Sequence, residues 1–423
     1  MIYFERGSET DCLTPQELQI SINLALSKLG PRKNVLVIPP DFTRYHSRAG
    51  EITQYICEYY GNSVTDILPA LGTHFAMSSH EIEIMYGKKY ASLIREHNWR
   101  NDIIKLGDVP SGYINQVSEG KLSYSWPAQV NKLLIQGNYD LILSVGQVVP
   151  HEVIGMANFN KNIFIGTGGA EGINKSHFLG AVYGMERIMG RADTPVRKVL
   201  NYASKTFSSH LPIIYIQTVL SKDSQDNKLK LRGLYIGNDV ECFEKASDLS
   251  LKVNFKMLEK PLKKVVVYLP PEEFKSTWLG NKSIYRTRMA IEDKGELIVL
   301  APGVREFGED KQIDKLIRKF GYKTTPEILE SVKNDPELTN NLSAAAHLIH
   351  GSSENRFSIT YCTSQLSESE IKSVNYNYQP LEEMLKRYNP NTLKDGFNTV
   401  NGEEIFFISN PALGLWAHKN RFK

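Results

Sequence analysis

Short, β-branched apolar runs, each closed by glycine or proline, set the first limit on what this chain can become. Residues 35–38 (Val-Leu-Val-Ile) stop at Pro39-Pro40, residues 141–145 stop at Gly146, and residues 163–165 run into Gly166-Thr167-Gly168-Gly169. Residues 65–68 and 213–216 are two more such runs. Runs of this length and composition read as buried strands. Helical sequence lies between them: Thr14-Pro15 reads as a cap with proline at the first helical position, and apolar residues continue to Leu26. Strands alternating with helices predict an α/β domain with a mainly parallel sheet.

A second α/β block starts near residues 263–269, with a helix expected over 285–293 and strands over 296–300 and 357–361. Residues 253–261 read as a hinge that carries two lysines and ends in Pro261. A last strand is expected over 404–408, after the break at Asn389-Pro390-Asn391. With 423 residues to place, the reading is two α/β domains with mainly parallel sheets and a cleft between them. The first covers 1–255, with 400–423 returning to it; the second covers 262–399.

The charge balance excludes some functions. Fifty basic and 47 acidic residues leave a net charge of only +3, which argues against a nucleic-acid partner. Cys12, Cys57, Cys242 and Cys362 are far apart, so no zinc spacing, redox pair or disulfide framework is expected, and a reducing cytoplasm fits. No apolar stretch approaches the roughly 18 residues of a membrane span, and residues 1–6 do not begin a signal peptide.

Three histidines follow strand or turn positions: His74 in Ala70-Leu-Gly-Thr-His74, His151 after Val148-Val-Pro150, and His177 after the glycine run. In parallel α/β sheets ligands bind beyond the carboxyl ends of strands, so the three can converge there. Taken singly, each is more often a surface or capping histidine. Asp41-Phe42-Thr43-Arg44 also follows a strand, and a helical turn there offers backbone N–H groups, a hydroxyl and a guanidinium to a phosphate or carboxylate. A helix cap with a surface ion pair reads equally well. The glycine run is a weak signal on its own.

Taken together, these residues resemble the nickel-dependent lactate racemase family. The family's Asp-x-Thr-Arg is matched by Asp41-Phe42-Thr43-Arg44 and its Gly-x-His by Gly72-Thr73-His74, with Glu83, Gly87 and His97-Asn98 in the places of further family residues. The most specific match is a spacing: His151, Lys161 ten residues later, and His177 sixteen after that. The resemblance covers nearly the whole chain. It implies a racemase or epimerase, an isomerase of 2-hydroxy acids, working by reversible hydride transfer. The implied cofactor is the nickel-pincer nucleotide, a nickel bound to a pyridinium-3-thioamide-5-thiocarboxylate mononucleotide. By the resemblance, Lys161 holds the pincer covalently, His177 ligates nickel, and Asp41 and Thr43 lie against the cofactor. His74 and His151 are the paired acid–base histidines, and Arg44 grips the substrate carboxylate. Two groups with proton affinity near neutrality suit a reaction that runs both ways. The implied partners are a small 2-hydroxy acid and, transiently, cofactor-maturation proteins; an oligomer is left open.

The chain departs from the lactate members at three points. Phe42 replaces His, and in Tyr285-Arg286-Thr287-Arg288-Met289-Ala290 Arg286 stands for Gln and Met289 for the substrate-binding Lys. Arg288 can replace that cation in charge, but a helix would point it elsewhere. With Trp278 and Lys282 just upstream, Tyr285 and Arg286 are expected to bind a longer, polyhydroxylated acid, an aldonate such as gluconate, since buried hydroxyls need partners. A smaller acid such as lactate or malate is the alternative. A nicotinamide dehydrogenase would need a Gly-x-Gly-x-x-Gly loop, which Gly166–Gly169 does not supply, and a zinc hydrolase would leave Lys161 without a role. A sugar-acid-binding regulatory protein on the same fold is the non-enzymatic rival.

Overall fold

Alternation along the strands explains the architecture seen in a computed structural model of the chain. The structure describes residues 1–223, 228–412 and 414–422. The chain divides into two units, Met1–Leu179 with Ile188–Asn254, and Gly180–Arg187 with Phe255–Lys423. Both are α/β with mainly parallel sheets, as the patterning predicts.

The first unit is built on six strands: β1 (Ile2–Gly7), β2 (Val35–Ile38), β3 (Val64–Ile67), β4 (Leu141–Gln147), β5 (Ile213–Lys222) and β6 (Leu229–Gly237), in the spatial order β1-β6-β5-β4-β2-β3. β3, β2, β4 and β5 run parallel, and β6 and β1 add antiparallel edges. Leu36, Ile38 and Ile142 point into one core, and Val35, Val37, Leu141 and Leu143 into the other. Both faces are covered, which is why these strands read as unbroken apolar runs. Helix α1 (Pro15–Leu29) and helix α2 (Ala49–Tyr60) cover one face; Pro195–Phe207 and Val240–Asn254 cover the other. The cap read at Thr14 is a full capping box with Glu17, and Pro15 opens the helix.

One strand expectation fails. Residues 163–165 lie in a helical turn, Asn162–Gly166, where Thr167 N–H reaches the Asn162 carbonyl at 2.9 Å. All five residues of the turn are buried, and a short buried apolar run has the same composition in a strand or a helix.

The second unit carries another six-stranded sheet: β7 (Leu262–Tyr268), β8 (Ile291–Leu300), β9 (Ser358–Cys362), β10 (Asn377–Tyr378), β11 (Gly396–Val400) and β12 (Glu403–Ile408), ordered β10-β9-β8-β7-β12-β11. Only β11–β12 is antiparallel. Residues 400–423 therefore do not return to the first unit. β12 is a central strand of the second sheet, with Phe407 and Ile405 in its core, and Leu415–His418 pairs with Phe255–Leu258. The expected hinge thus contains a strand. The helix expected over 285–293 is only a turn, Lys282–Tyr285, before β8 begins at Ile291. Among the described residues no helix is long and apolar enough to cross a membrane.

Candidate active site

Three neighbouring parallel strands of the first unit end at the residues singled out above. β2 leads into Asp41, β3 into the loop carrying His74, and β4 into His151. From β2 the chain proceeds to β3 on one side, while β4 leads to β5 on the other. This is a point of topological reversal, where α/β sheets open a crevice at their carboxyl edge.

Asp41 caps the turn Phe42–Ser47. Its Oδ1 accepts the Thr43 N–H at 3.1 Å and the Thr43 hydroxyl, and its Oδ2 faces His74 Nδ1 at 2.5 Å. The carboxylate is buried, while the His74 side chain is 56% exposed. Burial alone would raise the Asp41 carboxyl, but hydrogen bonds from His74 and Thr43 and the charges of His74 and Arg44 outweigh it and hold it below its ordinary value. An ionised carboxylate only accepts, so His74 carries its proton on Nδ1 and leaves the Nε2 lone pair outward.

The His74 loop is tied to the Lys161 turn. Gly72, with φ +58, donates its N–H to the Gly166 carbonyl at 2.8 Å, and a Cβ on Gly166 would meet the Ala70 Cβ at 2.6 Å. Buried His97 braces the glycine run by donating from Nε2 to the Gly168 carbonyl at 3.1 Å, with Nδ1 accepting from Asn131. Gly87, at φ +84, ends the helix Ser79–Tyr86 by donating to the Glu83 carbonyl.

Lys161 follows two left-handed residues, Asn158 at φ +68 and Phe159 at φ +59, a conformation costing each roughly 1–2 kcal/mol. Buried Arg197 clamps this turn. It donates to the Asn160 side chain and to the carbonyls of Met156 at 2.7 Å and Asn158 at 3.3 Å, and lies over the Phe243 ring at 4.2 Å. Asn158 adds a bond to the Gly146 carbonyl at 2.9 Å. Burial, reinforced by the charge of Arg44, pushes the Lys161 amine down to about 8, against the pull of Glu152 and Asp41.

His177 lies on the helix Ala170–Tyr183 and faces the Ile173 carbonyl through Nδ1 at 2.7 Å. That bond fixes the proton on Nδ1 and leaves Nε2 free to ligate. Burial lowers its proton affinity, as do the charges of Lys161 and His74, against the Ile173 bond and Glu152. His151 sits in a tight hairpin, Pro150–His151 against Gly155–Met156, and its Nδ1 accepts the Val153 N–H at 3.1 Å. Burial holds it well below its ordinary value, helped by Lys161, Arg44 and His177.

Hydrogen bonds join Asp41, Thr43 and His74, and the mutual charge effects of Asp41, Arg44, His74, His151, Lys161 and His177 link all seven into one electrostatic neighbourhood within the first unit. Sequence reading missed two members. Glu152 acts on His151, Lys161 and His177 together, and its position beside His151 was the available signal. Arg197 leaves no signal, because nothing in the sequence marks it as buried. Tyr285 and Arg286, expected from the sequence to bind substrate, belong to the second unit. Tyr285 is buried 6.3 Å from the His350 ring, and buried Arg286 donates to the Gly414 carbonyl at 3.0 Å. Arg288 pairs with Glu186 at 2.8 Å, and Met289 is fully buried. Neither arginine is a solvated surface group.

Among the described residues no three His, Cys, Asp or Glu side chains gather to hold a metal by themselves. A metal on His177 would need donors from a bound group.

Residues 20–188 match the family described as lactate racemase N-terminal domain. Comparison with curated proteins gives no match. Among solved structures, a structural-genomics crystal structure from Thermotoga maritima has a TM-score of 0.84 at 24% identity, covering 97% of this chain and 100% of that one. The lactate racemase apoprotein from Thermoanaerobacterium thermosaccharolyticum has a TM-score of 0.69 at 17% identity, covering 97% and 89%. These likenesses are of fold.

Proposed function

We propose that this chain, which carries a lactate racemase N-terminal domain over residues 20–188, is a racemase or epimerase that inverts C2 of a 2-hydroxy acid through a nickel-pincer nucleotide. The observation that carries the reading is the cluster itself: an amine, a ligating imidazole and a carboxylate-backed imidazole meet at the reversal point of one parallel sheet.

The residues present fit the cofactor. The Lys161 amine, brought down to about 8, has a far larger neutral fraction near physiological pH than an ordinary lysine and can form the thioamide link. His177 presents Nε2 to nickel because Nδ1 is engaged by Ile173. Thr43 and Asp41 line the same edge. When bound, the group supplies a reversible hydride acceptor, which spares the protein from forming a carbanion at C2. Arg44 pairs with the substrate carboxylate. His74 takes the hydroxyl proton on Nε2, and Asp41 stabilises the imidazolium that results. His151 is the second imidazole at the reacting carbon.

The finer reading is a sugar acid, an aldonate such as gluconate. Its support is the replacement of the lactate members' Gln and Lys by Arg286 and Met289, with Tyr285 next to Arg286 in the sequence. A reducing cytoplasm suits a chain whose four cysteines are all free. Cofactor-maturation proteins are the transient partners this chemistry requires.

The test is to load the protein with pincer cofactor and follow a panel of C2-deuterated 2-hydroxy acids, aldonates, lactate and malate included, by chiral chromatography. Inversion with deuterium kept at C2 is expected. Washout of the label into water would reject hydride transfer, and tight binding of an acid without inversion would favour a sugar-acid-binding regulatory protein. A native mass spectrum should place an adduct on Lys161.

A further inference from the structure

The second unit holds a stack of buried rings that ends at one half-buried indole. Tyr361, Tyr376 and Tyr322 lie face to face, with centroids 5.3 and 4.5 Å apart and planes within 9° of parallel. Tyr322 meets His347 edge-on at 5.5 Å, and His347 stacks on Trp278 at 4.4 Å with 29° between the planes. The three tyrosines and His347 are buried, whereas Trp278 keeps part of its surface in solvent.

Hydrogen bonds fix the ring beneath the indole. Thr277 donates its hydroxyl to the Phe307 carbonyl at 2.9 Å, which leaves its oxygen to accept from the Tyr322 hydroxyl at 2.8 Å. Tyr322 then has only a lone pair to offer His347 Nε2, 2.9 Å away, so the imidazole donates. Trp278 is tied at its backbone, where its N–H reaches the Phe307 carbonyl at 2.9 Å. His347 therefore holds one face of the indole in place. Among the described residues the indole N–H meets no acceptor, and it is not sealed from solvent.

The indole stands next to Tyr285. His347 and His350 are three residues apart on the helix Leu342–His350, and residues so spaced lie side by side, about 5–6 Å between their Cβ atoms. Trp278 rests on the first, and Tyr285 meets the second edge-on at 6.3 Å. The separation of the two imidazoles is one that a chain of a few carbons spans.

Resting on the racemase reading and on Tyr285 as a substrate residue, we propose that Trp278 is a specificity-determining platform for the far end of a polyhydroxylated acid. The C–H face of the carbon chain lies on the indole face turned away from His347, and a chain hydroxyl accepts the indole N–H. An aldonate carries such an apolar face beside its hydroxyls, which suits an aromatic surface with one donor on its edge. Lactate, held at Tyr285, has no carbon left to reach the ring.

The first test uses the full chain without cofactor, and gluconate and lactate as probes. In saturation-transfer NMR the gluconate protons farthest from the carboxylate should take up the most saturation. Trp278→Ala should weaken gluconate binding about fivefold or more and leave lactate binding as it is. Trp278→Phe keeps a ring over His347 and lacks only the donor, so its loss should be about two- to threefold. Gluconate that does not bind the wild type, or that binds folded Trp278→Ala equally well, overturns the proposal. Should the alanine variant not fold, undiminished gluconate binding by Trp278→Phe overturns it instead. The second test uses loaded enzyme. Trp278→Phe should raise KM for gluconate more than it lowers kcat, with kcat/KM for lactate unchanged. Wild type that binds gluconate through Trp278 but inverts no 2-hydroxy acid once loaded would sink the racemase reading and leave the platform. Gluconate inverted equally well by wild type and variant would sink the platform alone.

Discussion

Asp41 Oδ2 and His74 Nδ1 stand 2.5 Å apart, a buried carboxylate holding an exposed imidazole in one tautomer. Asp41→Asn should keep the cap to Thr43 but lose the tautomer control. We expect inversion to fall by ~10²–10⁴-fold, as when the carboxylate behind a catalytic histidine is neutralised. Stability carries a pH signature. The Asp41 carboxyl is held below its ordinary value, so its contribution is present above that ordinary value and lost as pH falls through the folded value. Urea unfolding should show the variant about 1 kcal/mol weaker at pH 7, and the gap closing as the pH falls through the lowered folded value of the carboxyl. A gap independent of pH would mean the carboxylate is not the source.

Lys161→Met should stabilise the cofactor-free chain at neutral pH. The buried amine binds its proton less tightly folded, at about 8, than unfolded, so the ammonium destabilises the fold below that value. Between about 8 and its ordinary pKa the unfolded chain binds more protons and wild-type stability rises with pH. The variant's advantage, on the order of 1–3 kcal/mol at pH 7, should shrink as pH is raised. Denaturation midpoints at pH 7 and pH 9.5 check it; a constant difference would refute the buried-charge account.

Acylation of Lys161 should titrate near pH 8. Mass-spectrometric rates with a small amine-acylating reagent should rise through a midpoint of about 8, well below an ordinary lysine. Arg44→Met should move that midpoint upward, since the Arg44 charge is part of the depression. An unchanged midpoint would exclude Arg44 from the neighbourhood of the amine.

Arg197→Lys should cost about 2–4 kcal/mol, because one ammonium cannot replace a fork reaching Asn160, Met156 and Asn158. With the Asn158–Phe159 turn released, Lys161 acylation should also lose its low midpoint. Loss of stability with an unaltered midpoint would leave Arg197 as packing only.

His177→Ala should remove nickel from matured protein while changing stability by no more than about 1 kcal/mol, the worth of its bond to the Ile173 carbonyl. Metal analysis after cofactor loading decides; full nickel retention would reject His177 as ligand.

Much of the first unit was legible because its signals are local. Val35–Ile38 and the run at 141–145 are buried on both faces and so read as continuous apolar strands, and Thr14-Pro15 declares a helix start whatever surrounds it. The failures are non-local. Ile163–Ile165 is buried either way, and composition does not separate a buried strand from the helical turn that follows the left-handed pair Asn158–Phe159. Residues 403–408 carry a strand's composition but no label saying which sheet they join; pairing with β7 decides that.

By itself, the sequence determined the chemical types and their order along the chain: an α/β alternation, an Asp-x-Thr-Arg after one strand, histidines after two others, and a lysine ten residues beyond the second. Composition and spacing carry that much because they act through the backbone nearby. Only the tertiary structure decided which nitrogen of each histidine holds the proton, and that three strand ends and an arginine clamp bring one amine into the neighbourhood of Asp41. Those outcomes depend on which distant N–H, carbonyl or carboxylate meets a side chain once water is excluded, and no local pattern encodes that meeting.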